Sequence, residues 1–379
     1  MECIQPFERP IYVSRPLLPD PGEVYVKLKE IWDRGQLTNN GPMLCELEIL
    51  LSQRLGARYL SLFSNGTVAL QIAARALELT GEVITTPFTF AATPHSLVWS
   101  GLKPVFCDIG NESFNIGPSK IEELITPDTS AIMPVHVFGY PCDIEAIAGI
   151  ASKYNLKVLY DAAHCFGVEV NGVPVGNYGD ISMFSFHATK VYNTVEGGAL
   201  TFANENLKDR AVLLRNFGIR SEDEVVEPGT NGKMNELQAA IGILLLEKTE
   251  AEISRRQQLT YLYRKLLEGV PGITFQLDIE GIRHNYAYFV IRVNSNEYGM
   301  TRDALQLELR KYNVFARKYF YPLCSSFTCY RDLPSSAAGR LPEAEKAAEQ
   351  VLALPLYGSL TDTDVEKICT IMKNVCLRH

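Results

Sequence analysis

Residues 184–198 read FSFHATKVYNTVEGG: a short apolar run, one lysine at position 190, and a Gly-Gly pair that closes the stretch. The run Ile181–Ser185 before it has the composition of a buried strand. A lysine just past such a strand faces the cost of desolvating its ammonium unless its amine has work to do. Working outward from this point, short β-branched runs alternate with helical patterns from about residue 58 to 202. That alternation is the signature of a mostly parallel sheet covered by helices. The expected strands are 59–63, 82–86, 104–108, 131–137, 157–161, 181–185 and 199–202, with helix-like stretches at 67–77, 95–99 and 144–154 between them. The Asn171-Gly172 pair in VEVNGVPV predicts a hairpin that interrupts the alternation once.

Beyond residue 203 the pattern turns helical. MNELQAAIGILLLEKTEAEISRRQQLTYLYRKLLEGV is expected to form one long spine helix leaving the large domain. A strand within 286–293, a helix near 301–312 and a last helix from about Asp362 predict a smaller α+β unit. The expected organisation is therefore a large α/β domain over residues 1–246, built on a mostly parallel seven-stranded sheet, and a small α+β domain over 247–379.

Length and composition set the outer limits. At 379 residues the chain exceeds what one hydrophobic core usually holds. A net charge of -8 with no basic run argues against a nucleic-acid surface. Nine cysteines, an odd number without a CxxC pair, suit reduced thiols in a cytoplasmic protein. No basic region followed by an apolar segment opens the chain, and no apolar stretch approaches the length of a membrane span, so a soluble cytoplasmic protein is expected.

In an open parallel sheet, functional groups collect beyond the carboxyl ends of the strands. Three candidates occupy such places. In FSNGTVAL (residues 63–70), Gly66 and Thr67 open a helix whose free amides and dipole suit an anion, although an ordinary capped turn has the same form. In KVLYDAAHCFG (157–167), Asp161 ends a strand and His164 follows one helical turn on. A buried acid here would pair with a protonated ring nitrogen, or simply cap the turn beside a packed histidine; a metal site from His164 and the adjacent Cys165 is disfavoured, and no metal is expected. The third is Lys190, whose partly desolvated amine would be nucleophilic toward a carbonyl. Together and in this order the three match what pyridoxal phosphate requires: a phosphate seat, a carboxylate for the pyridine nitrogen and an amine for the aldehyde.

These motifs, with TTPFTFAAT (85–93), PVHVFGYPCD (134–143), GTNGKMNELQAAIG (229–242), LTNNGP (37–42) and ARKYFYPL (316–323), resemble the DegT/DnrJ/EryC1/StrS family of sugar aminotransferases over essentially the whole chain. The resemblance implies the fold-type I aminotransferase architecture with pyridoxal 5′-phosphate as cofactor. Lys190 would be the Schiff-base lysine and proton carrier, Asp161 the partner of the pyridine nitrogen, His164 the group near the phenolic oxygen, and Phe90 the aromatic stacked on the ring. Gly66, Thr67 and Ser185 would hold the phosphate, joined by Asn231 from the neighbouring subunit, so that a homodimer would share its active sites; a plain loop asparagine in an Asx-turn is the alternative for Asn231.

L-glutamate, leaving as 2-oxoglutarate, would be the amino donor and a nucleotide-linked keto-sugar the acceptor. SFHATKVYNTVEGG is more like the members acting on C4 of a 4-keto-6-deoxyhexose than the C3 group, with dTDP-4-keto-6-deoxyglucose the expected acceptor. Amination at C3, a UDP- or GDP-linked sugar, and a non-catalytic binding protein on the same fold stand as alternatives. Arg317, Lys318, Tyr319 and Tyr321 suit a nucleotide diphosphate, or form a packed strand edge.

Overall fold

A computed structural model describes residues 4–110 and 113–376. Its centre is a seven-stranded sheet of β1 (Leu60–Phe63), β2 (Glu82–Thr85), β3 (Lys103–Phe106), β4 (Thr129–Met133), β5 (Lys157–Asp161), β6 (Ile181–Ser185) and β7 (Gly198–Phe202), in the spatial order β1-β7-β6-β5-β4-β2-β3. The pairs β6–β5, β5–β4, β4–β2 and β2–β3 are parallel, while β7 runs antiparallel to both β6 and β1. All seven expected strands are present; 157–161 and 181–185 match at both ends, and the other five have ends moved by at most four residues.

Alternate residues of each strand face two separate cores. Leu159 and Met183 pack with Leu70, Ala73 and Leu77 on one face, beneath α3 (Gly66–Ala76). Val158 and Tyr160 pack with Ile144 and Ile147 of α5 (Ile144–Tyr154) on the other. That second face is completed by α1 (Pro21–Arg34), α2 (Pro42–Arg54) and α7 (Glu236–Leu246), whose Leu47, Leu51 and Ile243 meet Leu62 and Phe184. Helices α4 (Ala92–Trp99) and α6 (Glu205–Leu214) complete the large unit. The NG hairpin is also present: Glu169–Val170 pairs with Val173–Pro174 around Asn171 and Gly172, both at positive φ.

The expected spine helix is two helices. Leu246 ends α7, a tight turn follows in which the Lys248 amide bonds to the Leu245 carbonyl (3.1 Å), and α8 (Thr249–Leu267) begins. The buried Thr249 hydroxyl takes the same Leu245 carbonyl at 2.8 Å, so a side chain replaces the helical bond that the turn gives up. Helix α7 stays in the large core, and α8 enters a second core through Leu259, Tyr263 and Leu267.

That second core lies under an antiparallel sheet of β8 (Ile273–Phe275), β9 (Phe289–Val293) and β10 (Val351–Leu354), with α9 (Arg302–Lys311) and α11 (Asp362–Cys376), while α10 (Pro342–Gln350) packs Ala344, Ala347 and Ala348 into another core with Phe88, Phe106 and Phe138. The division at 246/247 leaves out one contribution. Phe7 lies in this second core, and Ile11–Tyr12 pairs in parallel with Val314–Phe315. Residues 4–12 thus pack with the C-terminal unit, where the strand edge at Val314–Phe315 needs a partner for its backbone groups. No helix among the described residues is long and apolar enough to cross a membrane.

A buried carboxylate ties the two units together. Asp108, just beyond β3, accepts the amides of Glu343 (3.2 Å) and Ala344 (2.8 Å) at the start of α10, as well as the Lys120 ammonium (2.8 Å). Helix α10 has no cap of its own from Leu341, so Asp108 acts as a remote N-cap. Asp108→Ala is expected to lower stability by about 2 kcal/mol, the cost of a lost cap plus unsatisfied buried amides. The midpoint of urea unfolding measures it.

Candidate active site

Strand direction decides what meets at the sheet edge. Asp161 and Ser185 end the parallel strands β5 and β6, and the turn carrying Gly66 follows β1. Because β7 is reversed, its first residue, Gly198, pairs with both Ser185 and Phe63 at that same edge. The loop from Phe186 to Gly197 therefore leaves the edge and returns to it, holding Lys190 above the strand ends. Its base is closed by bonds from the Phe186 amide to the Gly197 carbonyl and from the Thr194 amide to the Phe186 carbonyl, both 2.9 Å.

The two glycines at the loop's end are steric requirements. A Cβ on Gly198 would lie 2.8 Å from the Gly66 nitrogen and 2.9 Å from the Asn65 carbonyl carbon. A Cβ on Gly197 would collide with the Thr194 hydroxyl. Gly66 in turn sits on β6, where a Cβ would be 3.3 Å from that of Ser185. This close stacking sets the first turn of α3 against the strand ends. Asn65 caps the helix by accepting the Val68 amide at 2.9 Å, which leaves the Gly66 and Thr67 amides without a protein partner among the described residues. Two free amides at the positive end of an eleven-residue helix form an anion seat.

A cavity of about 650 Å³ opens above this edge. Its walls include Gly66, Thr67, Phe90, Asp161, His164, Ser185, Lys190 and Tyr319. Asp161 is only 4% exposed. Its Oδ1 accepts the Ala163 amide (3.1 Å) and its Oδ2 accepts the Thr93 hydroxyl (2.8 Å). The Thr93 proton is thereby used, so Thr89, 2.9 Å away, donates to Thr93. Burial pushes the Asp161 carboxyl up, while Thr93, the Ala163 amide and the Lys190 charge pull it down.

Burial also lowers the half-buried Lys190 ammonium to about 8, with the Asp161 charge opposing the fall. His164 is buried and held well below the ordinary histidine range by desolvation and by Lys190. Phe88 is in the core, whereas Phe90, two residues on, is 64% exposed and lines the cavity.

Other expected residues are not brought together. Asn231 is exposed in an isolated antiparallel bridge to Asn216 and is no wall of its own chain's cavity. Arg317 is exposed, its backbone paired with Ala353. Lys318 is ion-paired to Asp303 (3.3 Å) and lies 4.7 Å over the ring of Tyr321. Of the four proposed nucleotide contacts only Tyr319 lines the cavity; Arg317 keeps its strand-edge alternative.

Conversely, Thr89, Thr93, Tyr288, Phe320, His187 and Glu196 line the cavity without having been singled out as site residues. Thr93 stands in the motif TTPFTFAAT, but its partner Asp161 is 68 residues away. An acid needing a donor was the only signal for it.

Residues 22–373 match the DegT/DnrJ/EryC1/StrS aminotransferase family. The chain is 45% identical over 368 residues to a dTDP-4-amino-4,6-dideoxy-D-glucose transaminase of Shigella dysenteriae, covering 97% of this chain and 100% of that one. It is 30% identical over 353 residues to a GDP-perosamine synthase of Vibrio cholerae, covering 92% and 94%. Among solved structures, DesI in the presence of its TDP-sugar product superposes with a TM-score of 0.94 at 35% identity, covering 99% of this chain and 95% of that one. Helicobacter pylori PseC, an aminotransferase involved in pseudoaminic acid biosynthesis, gives 0.91 at 27% identity, covering 98% and 100%.

The lowered Lys190 value has a direct consequence. Below about pH 8 the ammonium dominates and the amine is unreactive; above it the free base is present, well before an ordinary lysine at 10.5. Labelling of the ligand-free protein by an amine-selective reagent, followed by peptide mass spectrometry, is expected to show Lys190 reactivity rising through pH 8 ahead of the surface lysines.

Proposed function

The chain belongs to the DegT/DnrJ/EryC1/StrS aminotransferase family, and we propose that it transfers an amino group from L-glutamate to C4 of dTDP-4-keto-6-deoxy-D-glucose, giving dTDP-4-amino-4,6-dideoxy-D-glucose. The observation that carries this reading is the meeting of Lys190, Asp161 and the free Gly66 and Thr67 amides in one cavity, in a chain 45% identical to two transaminases named for that product. The same residues fit pyridoxal 5′-phosphate. Two unpartnered amides suit its phosphate, a buried carboxylate its ring nitrogen, an exposed phenylalanine its face and a depressed amine its aldehyde. When bound, this cofactor supplies a carbonyl that condenses with primary amines and an aromatic ring that takes up the electron pair left when a Cα–H bond breaks.

Each side chain then has a defined task. The Lys190 Nζ, a free base at mildly alkaline pH, is the nucleophile that gives way to the amino donor. Released, it takes the α-proton of glutamate, and in the second half-reaction it places a proton on C4 of the sugar. Asp161 would keep the ring nitrogen protonated by accepting a hydrogen bond from its N–H, with Thr93 and the Ala163 amide fixing the carboxylate in place. Gly66, Thr67 and Ser185 would hold the phosphate, and Phe90 would cover the ring.

Asn231 stands away from its own cavity. We assign it to the phosphate of the neighbouring subunit, in a homodimer with two shared sites. Free thiols, several of them buried, suit a reducing compartment such as the cytoplasm.

Turnover of the dTDP-linked 4-keto sugar with glutamate, with the product amine located by NMR, tests the reaction. The 3-keto isomer and the UDP and GDP analogues are expected to be poorer substrates, and preference for any of them would redirect the assignment. Lys190→Ala is expected to lower kcat by about three orders of magnitude or more, the scale of a lost acid-base group together with a lost nucleophile. Mixing Lys190→Ala with Asn231→Ala chains is expected to restore part of the activity, since one site of the mixed dimer is intact; no recovery would count against the shared site.

A further inference from the structure

The segment 134–143, PVHVFGYPCD, has no part in the mechanism above, yet it backs the cavity. Phe138 has φ 58 and ψ 14, a left-handed conformation uncommon outside glycine. Gly139 follows at φ 90, where a Cβ would lie 2.7 Å from Oδ1 of Asn285 and 3.1 Å from the His164 carbonyl oxygen. These two positive-φ residues bring the Phe138 amide to Nδ1 of His164 at 3.1 Å. A main-chain amide can only donate, so Nδ1 must offer its lone pair. A neutral imidazole has one N–H, which is then on Nε2.

The rest of the ring's surroundings hold it in this orientation. Asn285 Nδ2 donates to the His164 carbonyl (2.8 Å) and to the Phe166 carbonyl (3.0 Å), fixing the backbone from His164 onward. The Phe320 ring is parallel to the imidazole at 6.1 Å, and Tyr288 meets it edge-on at 4.9 Å. His164 lines the cavity, and its Nε2 has no protein partner among the described residues.

His136 gives the contrast. Its Nδ1 accepts the Cys142 amide at 2.9 Å, but its Nε2 is sealed without a partner, with the ring stacked on Tyr160 at 4.7 Å.

We propose that Phe138 is a positioning residue: its left-handed main-chain amide locks His164 as the Nε2–H tautomer, a permanent hydrogen-bond donor to an oxygen acceptor in the cavity. The role of that donor rests on the function proposed above, since the oxygen beside the aldehyde of the pyridine ring is the acceptor it would meet. The tautomer itself belongs to the chain alone and can be read without cofactor.

The test is long-range proton–nitrogen correlation NMR on the full-length, ligand-free protein labelled with ¹⁵N-histidine, at neutral pH. His164 is assigned by the signal missing from His164→Gln or, should that variant not fold, by contacts to the Phe320 and Tyr288 rings. The expected pattern is a protonated Nε2 and a bare Nδ1; a proton on Nδ1, or on both nitrogens, overturns the proposal. Phe138→Gly keeps the amide and tolerates φ 58, so it is expected to preserve the tautomer, and loss of the pattern there would overturn the role of the amide. With pyridoxal 5′-phosphate added, His164→Gln, which can both accept from Phe138 and donate to the cavity, is expected to keep the visible band of the parent protein. His164→Leu is expected to shift it, and an unshifted band would overturn the donor role. Failure of the parent protein to take up the cofactor would sink the proposed function and leave the NMR result standing.

Discussion

A primary amine taken out of water next to a buried acid is the constraint around which this molecule is built. Neither group is comfortable alone: burial drives Lys190 toward the free base and Asp161 toward the acid, and each one's charge partly restores the other. The reversed strand β7 makes the pairing possible. Had the seventh strand run parallel to its neighbours, the chain leaving Ser185 would have needed a crossover of a dozen residues or more, usually a helix, before re-entering the sheet. Reversal lets the loop Phe186–Gly197 leave and return at the same edge with no crossover helix, and the glycines at 197 and 198 let that return pass beneath the turn of α3.

Around this edge the fold is fastened by carboxylates that cap helices far away in sequence. Asp108 serves α10. In the same way Glu236, fully buried at the start of α7, accepts the amides of Met43 (3.0 Å) and Leu44 (2.9 Å) at the start of α2. Arg215 does related work across the sheet edge, donating to the Leu62 carbonyl (2.6 Å), Glu48 (2.9 Å) and Asn40 of the LTNNGP motif (3.3 Å). Such contacts join segments that local propensity treats separately, and they explain why several motifs are polar at positions that end up buried.

The large sheet was legible because its strands are short apolar runs buried on both faces, and because Asp161, Ser185 and Lys190 stand at strand ends where chemistry collects. The break after Leu246 was not, since apolar periodicity continues through a turn made by one threonine hydroxyl. The N-terminal residues gave no sign of packing with the C-terminal unit, because edge pairing depends on an available edge and not on composition. Thr93 and Phe138 escaped notice for a shared reason. Their contributions, a hydroxyl to Asp161 and a main-chain amide to His164, are made across the fold and do not depend on a distinctive residue type nearby. In the cluster 316–321, whose cationic and aromatic side chains look like a ligand surface, Tyr319 lines the cavity, while Lys318 lies over Tyr321 and pairs with Asp303.

The pairing of Ile11–Tyr12 with Val314–Phe315 means that the chain passes between the two units at its beginning as well as at the turn after α7. Two covalent crossings at separate points leave the units little freedom to slide apart. Ile282–Arg283 also pairs with Glu169–Val170, and Phe88, Phe106 and Phe138 share one core with Phe320 and Ala344, so the crossings only add covalent closure to units already packed as one body.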